Sequence, residues 1–198
     1  MELSSDHECL TRVRRRLGRS LLWLAMKTSP EINDQVNLDA LTKLYSRDTF
    51  NEMYRNQITN NKRRRPEGAS DWLVFIDVDK LKDINDNEGH AHGDEKLKAV
   101  ANGIQRSIRQ GDFAGRFGGD EFLVAFRDVI EIAPIKERMQ QLNQQLLGNG
   151  ISLSIGVVEA PRGSELDDLV VLADQLMYQV KQSGGNGILM TDSSGLKD

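Results

Sequence analysis

The chain has 198 residues, 38% of them hydrophobic and 28% charged, with a formal net charge of −4 and a pI near 5.5. This length suffices for one ordinary domain with a substantial core and a short additional segment. The acidic balance argues against a general nucleic-acid-binding protein, and a lone cysteine, Cys9, excludes a disulfide framework or a cysteine metal cluster. The longest apolar run, Leu21–Met26, is too short to span a bilayer, and the N-terminus lacks a signal-peptide layout. We therefore expect a cytoplasmic protein with no transmembrane segment in this chain and no nucleic-acid partner.

The N-terminal segment, residues 1–36, differs in character from the rest. Apolar residues recur there at helical spacing and predict a helix over residues 10–27, with one apolar face made by Leu10, Val13, Leu17, Leu21 and Leu24. The other positions of this helix include five arginines and one lysine and no acidic residue. The face suits packing on its own domain or on a partner helix, and the basic residues also leave open a helix that lies on a membrane surface.

Residues 37–192 are predicted to form the main domain and residues 193–198 a C-terminal tail. Apolar residues at helical spacing predict helices over residues 47–61, 94–109, 129–147 and 165–181. Strands are predicted over residues 72–78, 113–117, 122–126, 151–158 and 187–190. The first of these strands is continuously apolar, as expected for a strand buried on both faces. Helices that alternate with strands and hairpins indicate an α/β or α+β domain with one mixed sheet.

Two glycines, Gly118 and Gly119, join two of the predicted strands. This pattern predicts a tight hairpin with a type I′ turn, in which both central residues have positive φ. Asp120 and Glu121 follow directly. A solvated acidic tip on a surface hairpin is one interpretation. The other is a ligand site, in which the glycines leave room and the carboxylates supply hard oxygen ligands for Mg²⁺.

The strand over residues 72–78 ends beside a second acidic pair, Asp77 and Asp79, which share a face of an extended chain. Two acids that close an apolar strand are unfavourable unless they bind a metal or cap a turn, and capping suits Asp79 better than Asp77. If the hairpin lies beside this strand, Asp77 joins Asp120 and Glu121 in one acidic cluster. Such a cluster suits a two-metal site for phosphoryl transfer.

The segment after this strand carries groups that suit a nucleotide. A turn that leaves a strand can offer backbone N–H groups to phosphates, and Lys82 adds a positive charge. The carboxylate of Asp94 can accept from the adjacent N–H donors of guanine, while Asn85 supplies both a donor and an acceptor. Asp94 equally suits a helix N-terminus, and His90 and His92 are only weak indicators of a metal site.

These motifs together resemble the GGDEF domain, the diguanylate cyclase family of bacterial second-messenger enzymes. They occur in family order over residues 37–190: Asp39–Arg47, Phe75–Asp79, Lys82–Asn85, Gly89–His90, Gly93–Asp94, Arg116–Phe122, Ser154–Gly156, Ala173–Lys181 and Gly185–Asn186. The resemblance implies a palm-like nucleotidyl-cyclase fold, with a mixed, largely antiparallel five-stranded sheet flanked by helices. It also implies that two GTP molecules condense into cyclic di-GMP and two pyrophosphates.

The resemblance further implies roles for single residues. Asp77, the Val78 carbonyl and Glu121 would hold two Mg²⁺ or Mn²⁺ ions per site. Asp120 would be the base for the attacking 3′-hydroxyl and a candidate further ligand.

The substrate would be held by residues of the two segments that flank this cluster. Asn85, His90 and Asp94 would hold the nucleoside, and Asn85 and Asp94 would read guanine. Lys82 and Lys181, together with the backbone of residues 80–82 and so of Leu81, would hold the phosphates and stabilise charge that develops during transfer.

The chain departs from the family pattern at several positions. Leu81, beneath the expected phosphate loop, stands where relatives carry Phe, and Gly185 stands where relatives often carry a phosphate-binding Arg. Lys43, Tyr45 and Ser46 replace the usual Gly, Pro and Asn of the opening motif. None of these changes removes a metal ligand or the base.

The family likeness also implies an assembly and a regulatory site. One GTP per domain requires a homodimer for catalysis, to which the apolar face of residues 10–27 is a candidate contributor. The alternative is that this helix continues from an input domain absent from this chain. Arg109 and Asp112 have the spacing of the family's product-binding inhibitory site, although a helix-end arginine with an aspartate in the next turn would look the same. A non-catalytic effector that binds cyclic di-GMP through this pair is the alternative function, and a cyclase with relaxed choice between GTP and ATP is a second one.

Overall fold

The computed structural model describes residues 37–59 and 65–191. The predicted helix over residues 10–27 and the tail at 193–198 lie outside the described residues, so the predicted segment limits stay predictions. The chain divides into two compact units, residues 1–37 and 38–198, and the elements below belong to the second. Within the described ranges, no helix is both long and apolar enough to cross a membrane.

The described elements follow the alternation expected from the sequence. In chain order they are α1 (Arg47–Tyr54) with a π-helical continuation (Arg55–Thr59), β1 (Ser70–Val78), α2 (Leu81–Glu88), α3 (His90–Ser107), β2 (Phe113–Arg116), β3 (Glu121–Val129), α4 (Ala133–Leu147), β4 (Leu153–Ala160), α5 (Leu166–Gln182) and β5 (Gly187–Met190). The strands form one sheet in the order β2-β3-β1-β4-β5. Only the β4–β5 pair is parallel. The predicted mixed, largely antiparallel five-stranded sheet is therefore confirmed.

Both faces of the sheet are covered, as the apolar sequence of β1 predicts. Val74 and Ile76 contribute to a core shared with α3 and α4. Leu73 and Phe75 point to the other face, where α1 and α5 pack. Because side chains alternate along a strand, Asp77 continues the face of Leu73 and Phe75, beneath α5.

The structure adds a helix that the sequence pattern did not predict. α2 has only Leu81 and Ile84 as apolar residues, too few to show a helical stripe. α3 starts at His90 rather than at residue 94, and the apolar pattern missed this first turn because residues 90–92 are exposed and Gly93 has no side chain. Asp94 therefore lies in the second turn of α3, and the predicted position at the helix N-terminus is wrong.

The link between β2 and β3 also differs from the prediction. Residues 117–120 form the connection, and neither Gly118 nor Gly119 has a positive φ, so the predicted type I′ turn is wrong. The backbone N–H groups of Phe117 and Gly118 both donate to Glu121 O, at 2.8 and 3.3 Å. A four-residue connection closed in this way does not need left-handed residues at its centre.

Candidate active site

The strand register brings the acidic residues together. Asp77 on β1 lies directly opposite Glu121 on β3, and directly opposed side chains on one sheet face are neighbours. The Val78 N–H donates to Asp120 O at 3.1 Å, so the residue before Glu121 is fastened to the same strand end. Asp77 thus meets Asp120 and Glu121, which follow it by 43 and 44 residues in sequence, at one edge of the sheet.

Lys181 reaches this edge from the last turn of α5. A Cβ at Gly156 of β4 would lie 2.0 Å from Ala173 O, so α5 packs its backbone closely on the sheet there. Two helical turns further on, Lys181 Nζ lies 2.7 Å from Asp77 Oδ1. The close approach at Gly156 thus sets the depth at which the lysine meets the acidic cluster.

The carboxylates of the site are only partly neutralised by the nearby positive charge of Lys181. Burial raises the pKa of Asp77 to about 6, the ammonium of Lys181 opposes this rise, and the neighbouring charge of Asp120 adds to it. Burial also raises the pKa of Glu121, with further contributions from Asp120 and Asp174. Although burial lowers the pKa of Lys181, its contact with Asp77 more than offsets this and raises the value overall.

This donor set fits a divalent cation. Asp77 Oδ1 is buried and receives no well-oriented hydrogen bond, although Lys181 lies beside it. Within residues 37–59 and 65–191, no three His, Cys, Asp or Glu side chains converge as a preformed metal cage. Two facing carboxylates with unmet demand for positive charge are nevertheless the hard oxygen ligands that Mg²⁺ and Mn²⁺ prefer.

The glycines of the 117–120 loop make space around these carboxylates. A Cβ at Gly118 would lie 2.1 Å from Glu121 Oε2, so a side chain at this position would displace the carboxylate. A Cβ at Gly119 would meet nothing within 4 Å, and this side of the loop is open. Gly118 thus leaves room for the Glu121 carboxylate, and neither glycine of this loop is needed for a positive φ.

An ion pair that the sequence did not predict supports the 117–120 loop. Arg116 donates to Gly119 O at 2.6 Å through one guanidinium nitrogen and to Asp39 Oδ1 at 3.2 Å through another. Asp39 Oδ1 also accepts from the N–H and hydroxyl of Thr42, at 2.8 and 2.6 Å. Burial alone would raise the pKa of Asp39, but these hydrogen bonds and the charge of Arg116 lower it overall. No local pattern could pair charges separated by 77 residues.

A second unpredicted contact lies on the other side of the loop. The Arg47 guanidinium lies 4.1 Å from the centre of the Phe117 ring, a cation–π contact. Phe117 in turn packs edge-on against Phe75 of β1, with ring centres 6.3 Å apart. The residue before the two glycines is therefore held from both sides.

Asp79 does not act as a cap for the turn that follows it. Its carboxylate accepts from Ser154 Oγ at 2.6 Å and from Asn186 N at 2.9 Å. A Cβ at Gly185 would lie 2.8 Å from Asp79 Oδ2. Asp79 thus fastens the turn between α5 and β5 to the end of β1, and Gly185, which replaces the usual arginine, fits closely against it.

The predicted nucleotide-binding residues lie on α2 and α3, which begin directly after β1. Lys80 has a positive φ of 57° and turns the chain into α2, where Lys82 is exposed at the second position. Leu81 is buried in the core below. Asn85 is half-buried on α2, whereas His90 and Asp94 are exposed on α3.

Arg109 and Asp112, the predicted inhibitory pair, lie together in the connection between α3 and β2. Asp112 accepts from the backbone N–H groups of Arg109 and Arg127, at 3.0 and 3.1 Å. Arg109 donates to the backbone carbonyls of Arg127 and Asp128, and its side chain remains 51% exposed. Arg109 borders a cavity of about 360 Å³ that Arg138 also lines.

Comparison with known proteins finds diguanylate cyclases among the relatives of this chain. The chain is 35% identical over 160 residues to diguanylate cyclase DgcS of Shewanella oneidensis, which covers 79% of this chain and 53% of that protein. It is 31% identical over 169 residues to diguanylate cyclase DosC of Escherichia coli K12, covering 81% of this chain and 36% of that protein. The chain therefore spans about half, or less, of the length of these curated relatives.

Solved structures share the fold. A microbial GGDEF domain, described for its interaction mode with cyclic di-GMP, is 29% identical with a TM-score of 0.68, covering 78% of this chain and 96% of that one. Diguanylate cyclase SiaD of Pseudomonas aeruginosa, in complex with its activator SiaC, is 27% identical with a TM-score of 0.71, covering 93% and 74%. The model of the family described as "Diguanylate cyclase, GGDEF domain" matches residues 36–187. This match takes in more than half of the chain, including β1 to β4 and the first residue of β5. The chain therefore belongs to the GGDEF domain family of diguanylate cyclases.

Proposed function

We propose that this protein condenses two GTP molecules into cyclic di-GMP and two pyrophosphates. The observation that best supports this proposal is that Asp77 and Glu121 lie opposite each other, with Lys181 Nζ 2.7 Å from Asp77 Oδ1. In each half of the reaction a 3′-hydroxyl oxygen forms a bond to the α-phosphorus of the other GTP. The bond from that phosphorus to the pyrophosphate leaving group breaks, and the hydroxyl proton goes to a base.

The acidic edge of the sheet supplies the groups for this transfer. Asp77, the Val78 carbonyl and Glu121 would hold two Mg²⁺ or Mn²⁺ ions, which when bound polarise the α-phosphate and neutralise triphosphate charge. Asp120 is the proposed base, since it adjoins this pair and stands beside the open space at Gly119. Lys181 balances the charge of Asp77 and adds a cation next to the phosphates.

The first turn of α2 suits the triphosphate. Its backbone N–H groups have no intrahelical partner, and an anion at a helix N-terminus satisfies them. Lys82, exposed in this turn, adds a mobile positive charge. Asn85 and Asp94 are proposed to read the guanine edge, with His90 against the nucleoside.

Catalysis on this scheme needs two domains that face each other, because each is proposed to hold one GTP. We propose a homodimer as the active form, to which the apolar face predicted over residues 10–27 contributes. The two 3′-hydroxyls then attack across the interface.

Product inhibition through Arg109 and Asp112 is the regulatory part of the proposal. A guanidinium can pair with a phosphate or with the Hoogsteen edge of guanine, and Arg109 is half-exposed beside a cavity. Its bonds to the carbonyls of Arg127 and Asp128 would then be exchanged for bonds to the product. We expect Arg109→Ala to abolish inhibition by added cyclic di-GMP and to leave the initial rate unchanged.

Initial rates with and without added cyclic di-GMP test this expectation. Arg106→Ala, an exposed arginine in the last turn of α3, is the matched control and should keep its sensitivity. Equal sensitivity of the Arg109 variant and the wild type would refute the inhibitory site.

The activity itself is tested by incubation of the full chain with Mg²⁺ and GTP, ATP or both, and identification of the products by mass. We expect cyclic di-GMP from GTP, little product from ATP, and no product from the Glu121→Gln variant. Binding of cyclic di-GMP without turnover at high protein concentration would instead identify a non-catalytic effector. Formation of mixed or adenine products would identify a cyclase with relaxed nucleotide choice.

A further inference from the structure

Gly93 occupies a helical position where glycine is an unfavourable choice. It is the fourth residue of α3, it is buried, and its φ is not positive, so the backbone conformation does not require glycine. Alanine is much the better helix former at such a position. Something other than backbone geometry must account for the absence of a side chain.

The space above Gly93 is taken by the side chain of Asn85. A Cβ at Gly93 would lie 1.9 Å from Asn85 Oδ1, 2.9 Å from Asn85 Cγ and 3.4 Å from Asn85 Nδ2. α2 and α3 are joined tightly at Gly89, whose N–H donates to Asn85 O at 3.0 Å while its carbonyl accepts from Gly93 N at 3.3 Å. The carboxamide of Asn85 therefore rests on the bare backbone of α3.

The other buried glycine of the same helix shows a different arrangement. A Cβ at Gly103 would meet Leu142 Cδ1 at 2.5 Å, which is a packing contact within the core. The contact at Gly93 is with a half-buried carboxamide that makes no side-chain hydrogen bond to other described residues. Its donor and acceptor are free for a ligand, and Gly93 immediately precedes Asp94.

We infer that Gly93 determines nucleotide specificity by positioning Asn85: the bare helix backbone holds the carboxamide beside Asp94, where the two read guanine. This inference rests on the proposed function, since it presupposes that Asn85 contacts the base. Gly93 itself touches no substrate and acts through Asn85. It explains why a poor helix former stands inside α3.

Gly93→Ala separates this role from a structural one. The new methyl group takes the place of the carboxamide, which lies at the end of a flexible side chain and swings away. The helix itself favours alanine, so the fold persists and its melting temperature does not fall. We expect affinity for a non-hydrolysable GTP analogue to fall about tenfold, the loss of about one hydrogen bond, while affinity for the ATP analogue changes less than twofold.

The test is a double-mutant cycle, with binding of both analogues measured by calorimetry. Asn85→Ala should lower GTP-analogue affinity to a similar extent, and the double variant should bind no more weakly than either single variant. The double variant also lacks the clash between the new methyl group and the Asn85 side chain, so its binding can be measured even if Gly93→Ala folds poorly. Asn102→Ala, an exposed change in the same helix, is the matched control and should bind as the wild type does.

Two results would overturn the inference. One is that Gly93→Ala keeps the wild-type preference for the GTP analogue over the ATP analogue while Asn85→Ala loses it. The other is that the losses of GTP-analogue affinity in the two single variants add up in the double variant. Absence of any preference for the GTP analogue in the wild type is a separate outcome, visible before any variant is made. That outcome would remove the proposed function and this inference with it.

Discussion

At the scale of single residues, Asp77 is a buried carboxylate whose charged form is disfavoured by burial and by the neighbouring charge of Asp120. Burial raises its pKa from 3.8 to about 6, so the folded chain binds this proton more tightly than the unfolded chain does. The metal-free protein therefore loses stability as the pH rises from 3.8 to about 6, and the loss is complete above that range. We expect Asp77→Asn to match the wild type near the lower limit. Above pH 7 it should be more stable by about 2 kcal/mol, less than the full shift implies because solvent screens part of the charge.

Urea unfolding of both proteins across this pH range, without divalent metal, measures the difference. Asp83→Asn, which removes an exposed carboxylate from α2, is the control and should not reproduce the gain in stability expected of Asp77→Asn above pH 7. Added Mg²⁺ should stabilise the wild type and leave Asp77→Asn unaffected. A variant that is less stable than the wild type at neutral pH would contradict this account of Asp77.

The glycines show how far residue-level prediction reaches. Gly118 and Gly119 were expected to supply positive φ, and the structure gives them ordinary backbone angles. Gly118 is instead required because Glu121 Oε2 would lie 2.1 Å from a Cβ there. Which atoms fill the space beside a glycine depends on tertiary packing, and a local turn rule contains no information on it.

At the scale of elements, the 117–120 loop is held by the Arg116 guanidinium, which bridges Gly119 O and Asp39. A lysine has one charged nitrogen and cannot bond both partners in the same planar geometry. We expect Arg116→Lys to lower kcat for cyclic di-GMP formation by about tenfold to a hundredfold, because Asp120 and Glu121 lose their fixed position. The KM for GTP should change little, because the proposed substrate contacts lie on α2 and α3, whereas Arg116 bonds Asp39 and Gly119.

Steady-state kinetics of the full chain with GTP and Mg²⁺ measure this split between kcat and KM. Asp39→Asn, which weakens the same ion pair from its other end, should reproduce part of the effect. Asp48→Asn, on the exposed face of α1, should leave both constants unchanged. An Arg116→Lys variant with normal kcat would show that the loop is positioned without this bridge.

Prediction of elements succeeded where the core requires a periodic pattern. β1, α4 and α5 bury long apolar faces, and their sequence patterns placed them to within a few residues. α2 buries only Leu81 and so leaves no periodic signal. The helix that carries the proposed contacts of Lys82 and Asn85 is thus the one least visible in the sequence, because it buries a single apolar side chain.

At the scale of the whole molecule, the ordered sequence motifs predicted more of the structure than the periodicity of apolar residues did. They led to the five-stranded sheet and to the family, both of which are confirmed. Long-range pairs such as Arg116 with Asp39 and Asp79 with Asn186 were not predicted, since each joins residues distant in sequence through the completed fold. The roles of the site residues stay proposals until activity is measured.

The proposed reaction makes activity depend on protein concentration, because one domain is proposed to hold only one of the two GTP molecules. Both hydrophobic clusters among the described residues lie in the second compact unit, so a chain from residue 37 onward should retain its fold. We expect deletion of residues 1–36 to weaken self-association at least tenfold, since the predicted apolar face over residues 10–27 is lost. Activity per domain should then fall at low concentration and recover as concentration rises.

Initial rates and sedimentation velocity over the same dilution series measure both effects. Unchanged self-association and unchanged activity per domain after the deletion would show that the dimer forms through the catalytic domain alone.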